Sequence, residues 1–389
     1  MPDALLPPDQ PTPLLGGLSP ADFMRRHWQK KPLLIRQAIP GMRAPIRATA
    51  LRRLAREDDV ESRLIWREDG EWAMEHGPFS RLPKASEPDW TLLVQGVDLH
   101  DDAIAALRDR FRFVPDARLD DAMISIAGTG GGVGPHVDSY DVFLLQAAGR
   151  RRWRISQQKD LELQPDVPLR ILQDFRAEEE YVLEPGDMLY LPPQVAHDGV
   201  AMDPDCMTIS IGFRAPRRAE LARGLLEAAA DALPGMPATA GERLYRDASQ
   251  PATATPAALP EALVDEALTA FAAVRLDRAL AADFLGAYLS EPKPGVVFEP
   301  ADADCSPLDA DWPQSGTLVL ARSTRVLYTG RKLFINGEPA EAPASARLRA
   351  LADTRRLACA GRAPSEAERE ALETWREAGW LHWVPDDAR

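Results

Sequence analysis

The chain has 389 residues, 45% hydrophobic and 27% charged, with 60 acidic against 46 basic side chains and a formal net charge of −14. This is the composition of a soluble globular protein of two or three domains, and the negative charge disfavours non-specific nucleic-acid binding while suiting a basic partner. No stretch reaches the roughly 18 consecutive apolar residues of a membrane span, and no basic segment leads an apolar one at the N-terminus as in a signal peptide. The three cysteines, Cys206, Cys305 and Cys359, are too few and scattered for a disulfide or zinc framework. A reducing, cytoplasmic setting is expected.

Residues 1–20 are Pro-rich and read as an extended arm. Ser19 before Pro20 is an N-cap signal for a helix ending near Trp28. A strand is predicted at Lys31–Ile35, then a hairpin over 63–74 turning at Asp69-Gly70. Further strands are predicted at Trp90–Val94, Ala122–Ile126, Asp141–Gln146, Arg151–Ile155, Tyr181–Leu183, Asp187–Leu191 and Met207–Gly212, with one helix near 100–110. Many short strands with Gly and Pro turns argue for a double-sheet jelly roll, which leaves a pocket between its sheets. After Pro216 the chain turns helical, at 220–230 and 260–290, around a Pro/Ala/Thr-rich break at 247–260. The last part mixes strands (Arg325–Tyr328, Lys332–Gly337) with helices at 346–358 and 365–378, which suits an α+β or winged-helix-like module. Residues 291–389 hold 13 Lys and Arg against 16 Asp and Glu, a net of −3. A DNA-reading winged helix is usually basic, so no direct DNA binding is expected. Trp375, Trp380 and Trp383 read as a packing cluster there.

The chemistry concentrates in Gly130-Gly-Gly-Val-Gly-Pro-His136-Val-Asp138, followed by His197. Side chains at i and i+2 of a strand share a face. An imidazole and a carboxylate on one face, joined by a distant histidine, make a 2-His-1-carboxylate set, which holds Fe(II) and leaves positions open for substrate and oxygen. A lone His-x-Asp is common by chance, so the setting carries the weight. The glycines are a poor phosphate cradle, because neither Lys-Ser/Thr nor a helix follows. They read better as a tight lead-in to His136. His27, His76, His100 and His382 have no comparable setting.

The spacings resemble the two cupin motifs. Gly130, His136 and Gly149 fit the first; Gly186, Pro192 and His197 fit the second, with Gln194 where a glycine is usual. Asp138 stands where a metal cupin has its second histidine, and Val142 removes the usual glutamate, which favours the facial triad. Iron with one carboxylate leaves a site of charge +1, and a dianionic chelating cosubstrate needs about one further cation. On the strand at 151–155, Arg151 and Trp153 share one face. A guanidinium clamps a carboxylate through two hydrogen bonds, which predicts 2-oxoglutarate held by Arg151. Thr208 and Ser210, on one face of the strand after His197, could add hydroxyls.

The segment Gly134–Arg154, with Glu184–Pro193 and Ser210–Pro216, resembles the bacterial ribosomal oxygenases. These are JmjC-type 2-oxoglutarate oxygenases, of which the best-known bacterial type hydroxylates an arginine of large-subunit ribosomal protein number sixteen. The resemblance is dense over 120–216. It implies a mainly β catalytic core, a double-stranded β-helix (jelly roll) of JmjC/cupin type. A helical dimerisation region and a C-terminal winged-helix-like α+β domain would follow. The division would be 1–90 completing the catalytic domain, 91–216 the jelly-roll core, 217–290 the dimerisation helices and 291–389 the winged helix. It places the Fe(II) ligands on His136, Asp138 and His197, the 2-oxoglutarate arginine on Arg151, and a hydroxyl partner on Ser210. It implies use of O2, release of succinate and CO2, and hydroxylation of an unactivated side-chain carbon. A cationic arginine substrate needs acceptors at the pocket mouth, for which Asp121, Tyr140 and Asp141 are the candidates. The expected partners are a basic ribosomal protein and a second copy of the chain, with no membrane. A hydroxylase of a ribosomal histidine or of RNA, or a non-catalytic cupin-like binding protein, remain the alternatives.

Overall fold

Alternating apolar residues between 90 and 213 do form strands, and all their pairings are antiparallel. The computed structural model describes residues 5–233, 244–274, 276–300 and 312–386. In chain order these form α1 (Pro20–Arg26), β1 (Leu33–Ile35), α2 (Ala48–Leu54), β2 (Ser62–Glu68), β3 (Glu71–His76), β4 (Trp90–Val94), α3 (Asp102–Asp109), β5 (Leu119–Ala127), β6 (Val142–Ala148), β7 (Arg151–Ser156), β8 (Glu179–Leu183), β9 (Met188–Leu191), β10 (Ala196–Ala201) and β11 (Cys206–Phe213). There follow α4 (Arg218–Asp231), α5 (Glu261–Ala272), α6 (Arg278–Ser290), β12 (Thr317–Leu320), β13 (Val326–Thr329), β14 (Lys332–Ile335), β15 (Glu338–Pro339), α7 (Ala346–Thr354), β16 (Arg356–Ala358), α8 (Glu366–Glu377) and β17 (Leu381–Val384). The described residues of Met1–Ala215, Lys293–Thr324 and Ala350–Arg389 make one compact unit, and those of Pro216–Pro292 and Arg325–Arg349 a second.

The first unit is built on an eight-stranded sheet in the order β1-β9-β6-β11-β5-β4-β2-β3 and a three-stranded sheet β10-β7-β8. This is the expected double-sheet jelly roll. On β6, Phe143, Leu145 and Ala147 join one core cluster, which takes in Phe23 of α1 and Ile104 and Leu107 of α3. Val142 and Leu144 of the same strand join another, with Trp153 and Ile155 of β7 and Leu183 of β8. The period-2 alternation of a strand thus gives the large sheet an outer face under helices and an inner face toward the small sheet.

Three local expectations change. The N-terminal arm is not free: Thr12 caps a 3-10 turn at Pro13–Leu15, and Leu14 and Leu15 are fully buried in the outer core. Burying two leucines anchors a segment that its prolines alone suggested was extended. The helix predicted over 346–358 stops at Thr354, because Arg356–Ala358 pairs with β12 instead. The tryptophans near the C-terminus do not share one environment. Trp375 is buried on α8, Trp380 packs edge-on against Phe298, and Trp383 is 43% exposed. The Ser19 cap of α1 is as expected, its hydroxyl accepting from the Asp22 amide. Cys206 and Cys359 are buried free thiols, and Cys305 lies outside the described residues. Among the described residues, no helix is long and apolar enough to cross a membrane.

Candidate active site

His136 and Asp138 do not lie on a regular strand. The glycine-rich approach gives an irregular segment that pairs at a single residue, His136 with His197 of β10. The bridge is reciprocal: each histidine amide donates to the other's carbonyl at 2.9 Å. The Gln194 amide ties the far end by donating to the Asp138 carbonyl at 2.8 Å. Two distant parts of the chain are therefore fixed at the very residues that carry the imidazoles.

The side chains converge accordingly. One donor atom from each of His136, Asp138 and His197 lies within 4.8 Å of the others. His197 Nε2 faces Asp138 Oδ2 at 3.6 Å. The other ring nitrogens are occupied: His136 Nδ1 meets the Gly134 carbonyl at 2.9 Å and His197 Nδ1 meets the Val195 carbonyl at 3.0 Å. A proton on Nδ1 leaves the Nε2 lone pair for a metal, the usual way a backbone carbonyl selects the tautomer of a histidine ligand. Burial, then the neighbouring His136, pushes the His197 imidazole down to about 4, so it is neutral at physiological pH. Two imidazoles and one carboxylate suit a divalent metal of the Fe(II) type with open positions.

On β7 and β10, His197, Gly199 and Ala201 are register partners of Ile155, Trp153 and Arg151. All six share the inner face by alternation. The Trp153 ring lies 5.8 Å from that of His197, and a Cβ on Gly199 would meet Trp153 at 2.5 Å. Glycine at 199 is what admits the indole. Arg151 is 4% exposed, with one bond, from Nη1 to the Gly199 carbonyl at 3.4 Å, and Nε and Nη2 buried without partners. Leaving a buried donor unsatisfied costs about 1–3 kcal/mol, more for a charged group. The orphaned N–H groups therefore fit a carboxylate ligand.

The remaining predicted residues divide. Thr208 and Ser210 are buried on the inner face of β11, and Thr208 Oγ1 donates to Gln146 Oε1 at 3.0 Å. Asp121 sits on the inner face at the start of β5. A Cβ at Gly212 would lie 3.7 Å from Asp121 Oδ1 and 4.0 Å from the Tyr140 ring. Partial burial, then the charges of Asp138 and Asp121, hold the Tyr140 hydroxyl above its ordinary range, so it remains a donor. Asp141 is not brought to this group. Its carboxylate is fully enclosed, accepting from Tyr190 Oη at 2.6 Å and Gln29 Nε2 at 2.9 Å, with Arg118 at 3.6 Å. One residue along an extended chain points the other way. Two participants were not singled out as site residues: Gln146 and Trp153. Trp153 had a signal, its shared face with Arg151, but an indole in a strand reads equally as core.

The fold and donor set together define a JmjC-type oxygenase core. A JmjC domain profile matches residues 106–221, and a ROXA-like winged helix profile matches residues 273–382. The ribosomal protein uL16 3-hydroxylase of Escherichia coli (strain K12) is 36% identical over 335 residues, which is 85% of this chain and 88% of that protein. A probable ribosomal oxygenase of Haemophilus influenzae is 38% identical over 213 residues, 54% of this chain and 52% of that one. The solved structure of E. coli YcfD, a ribosomal oxygenase, in complex with cobalt and 2-oxoglutarate is similar with a TM-score of 0.78. It shares 34% identity and covers 94% of this chain and 98% of that one. The chain belongs to the bacterial ribosomal oxygenase family.

Proposed function

We propose that the protein is an Fe(II)- and 2-oxoglutarate-dependent hydroxylase acting on an arginine side chain of ribosomal protein uL16. The observation that carries this reading is the buried Arg151 with two unpartnered donors, on the inner face that also holds His197. His136, Asp138 and His197 would hold the metal, and Arg151 the distal carboxylate of 2-oxoglutarate, with Thr208 and Ser210 beside it. When bound, metal and cosubstrate supply the oxidising power that places one oxygen atom of O2 on an unactivated carbon and leaves succinate and CO2.

The protein's own share is positioning and exclusion of water. The His136–His197 bridge fixes two ligands, and the Nδ1 contacts orient their rings. Val142, Leu144, Leu189 and Leu191 keep the inner face dry beside them. Asp121 and Tyr140 would receive the substrate guanidinium, Asp121 through Oδ1. Asp141, spent on internal partners, is left to hold the outer core. The net charge of −14 favours approach of a basic ribosomal protein, and a ribosomal target would put the enzyme in the cytoplasm.

The second unit supports a homodimer. Its helix α5 has no buried residue and leaves Leu263, Val264, Leu268 and Phe271 between 40% and 63% exposed, an apolar surface that a second copy would cover. Light scattering should show a dimer, reduced to monomer by Leu268→Asp; a monomeric native protein contradicts it. The activity is tested with purified uL16, Fe(II), 2-oxoglutarate and O2. One arginine-containing peptide should gain the mass of one oxygen as succinate forms. Succinate with no modified arginine, or oxygen on a histidine or on RNA, would move the target elsewhere. No 2-oxoglutarate turnover with ribosomal protein present would leave only a binding role.

A further inference from the structure

Asp121 is held by a residue far away in sequence. Its Oδ2 accepts from the Gly96 amide at 2.9 Å and from Lys293 Nζ at 2.7 Å. Lys293 also reaches Asp120 Oδ1, at 3.4 Å. Three carboxylates gather here, and each has a cation. Asp98 pairs with Arg108 at 2.5 Å and accepts from the Ala122 amide, and Asp120 faces Arg214 at 3.5 Å. Asp121 has Lys293. With Oδ2 taken twice, Oδ1 is the oxygen turned toward Gly212 and the Tyr140 ring.

We propose that Lys293 is a positioning residue for substrate recognition. By occupying Oδ2 it keeps Asp121 ionised and presents Oδ1 to the substrate guanidinium. This rests on the reading of Asp121 as the acceptor of that cation. The physical need is plain. Burial raises the Asp121 carboxyl above its usual range, and the charges of Asp120 and Asp98 act in the same direction. The Lys293 ammonium is the group that offsets them, and Asp121 and Asp120 in turn hold Lys293 protonated. A buried carboxylate that loses its cation takes up a proton instead, and a neutral acid no longer attracts a guanidinium as an ion.

The test is steady-state hydroxylation of uL16 by the full-length Fe(II)-loaded protein. Wild type would be compared with Lys293→Met, Lys293→Arg and Asp121→Asn from about pH 6.5 to 9, a window reaching well above the usual carboxyl range. Lys293→Met should raise KM for uL16 about tenfold near pH 7, because a buried Asp121 carboxyl without its cation takes up a proton and loses its charge-assisted contact with the guanidinium. Its kcat should fall by less than about twofold, because the interaction lost is uniform binding. The KM should return toward the wild-type value as pH rises and Asp121 ionises unaided. Lys293→Arg, which keeps the charge, should restore most of the affinity. If Lys293→Met does not fold, Lys293→Gln is read in the same way. A Lys293→Met KM that is unchanged, lowered, or raised equally at every pH overturns the proposal. Asp121→Asn separates the two levels. If it raises KM while Lys293→Met does not, only the positioning role fails; if it leaves KM unchanged, Asp121 is not the acceptor.

Discussion

The two faces of the eight-stranded sheet share the same strands and differ in almost everything else. Outward, Phe143, Tyr190, Ile209 and Ile211 pack with Phe23 and Phe111, the Phe23 ring lying 4.9 Å from that of Tyr190 and 5.3 Å from that of Phe143. Inward, the neighbours one residue along include Ser125, Gln146, Thr208 and Ser210, equally buried but polar. Polar side chains are costly to bury unless paired. Thr208 and Gln146 pair with each other, yet Thr91 Oγ1, Trp153 Nε1 and two nitrogens of Arg151 remain without partners on this side. One face holds the fold together; the other gives up stability to keep donors ready for ligands.

Substitutions should separate the faces. Asp138→Ala removes the one carboxylate of the donor set and should abolish Fe(II)-dependent turnover, while the thermal midpoint of the metal-free protein stays within a few degrees. Retained turnover would show that the metal lies elsewhere. Phe143→Ala, on the outer face, should cost about 3–5 kcal/mol in denaturant unfolding, from lost transfer energy plus the cavity left behind. Affinity for 2-oxoglutarate should be unchanged under conditions where the variant is folded. A loss below about 1 kcal/mol, far under the usual range for a buried aromatic, would mean that the outer cluster is not what carries stability.

What the sequence made legible follows the range of the interactions. His136-x-Asp138 and Arg151-x-Trp153 are visible because alternation is local. The jelly roll is visible because strands announce themselves by β-branched and aromatic runs. Strand β10 is not: Ala196-His-Asp-Gly-Val-Ala201 has weak strand propensity, and it forms because β7 pairs along its whole length. The single bridge that replaces the expected strand at His136 has the same cause, since pairing there depends on β10 being in place. Asp141 was misplaced by one step of alternation, the smallest error a strand allows and one that reverses the face. Leu14 and Leu15 were hidden by the prolines around them. Lys293 carries no local pattern at all; only the folded chain shows that a residue after α6 completes the surroundings of Asp121 on β5.

The central claim is that Arg151 is buried for a ligand and not for stability. Calorimetric titration of 2-oxoglutarate into the Co(II)-loaded protein tests it directly, with Arg151→Met beside wild type and the unfolding midpoint of each measured without cosubstrate. A charge-assisted hydrogen bond contributes about 1.5–3 kcal/mol. The variant should therefore bind 2-oxoglutarate about 10- to 100-fold more weakly. Its unliganded stability should equal or exceed that of wild type, because an unpartnered buried charge has been removed. Unchanged affinity with a large loss of stability would contradict the account and return Arg151 to the structural core.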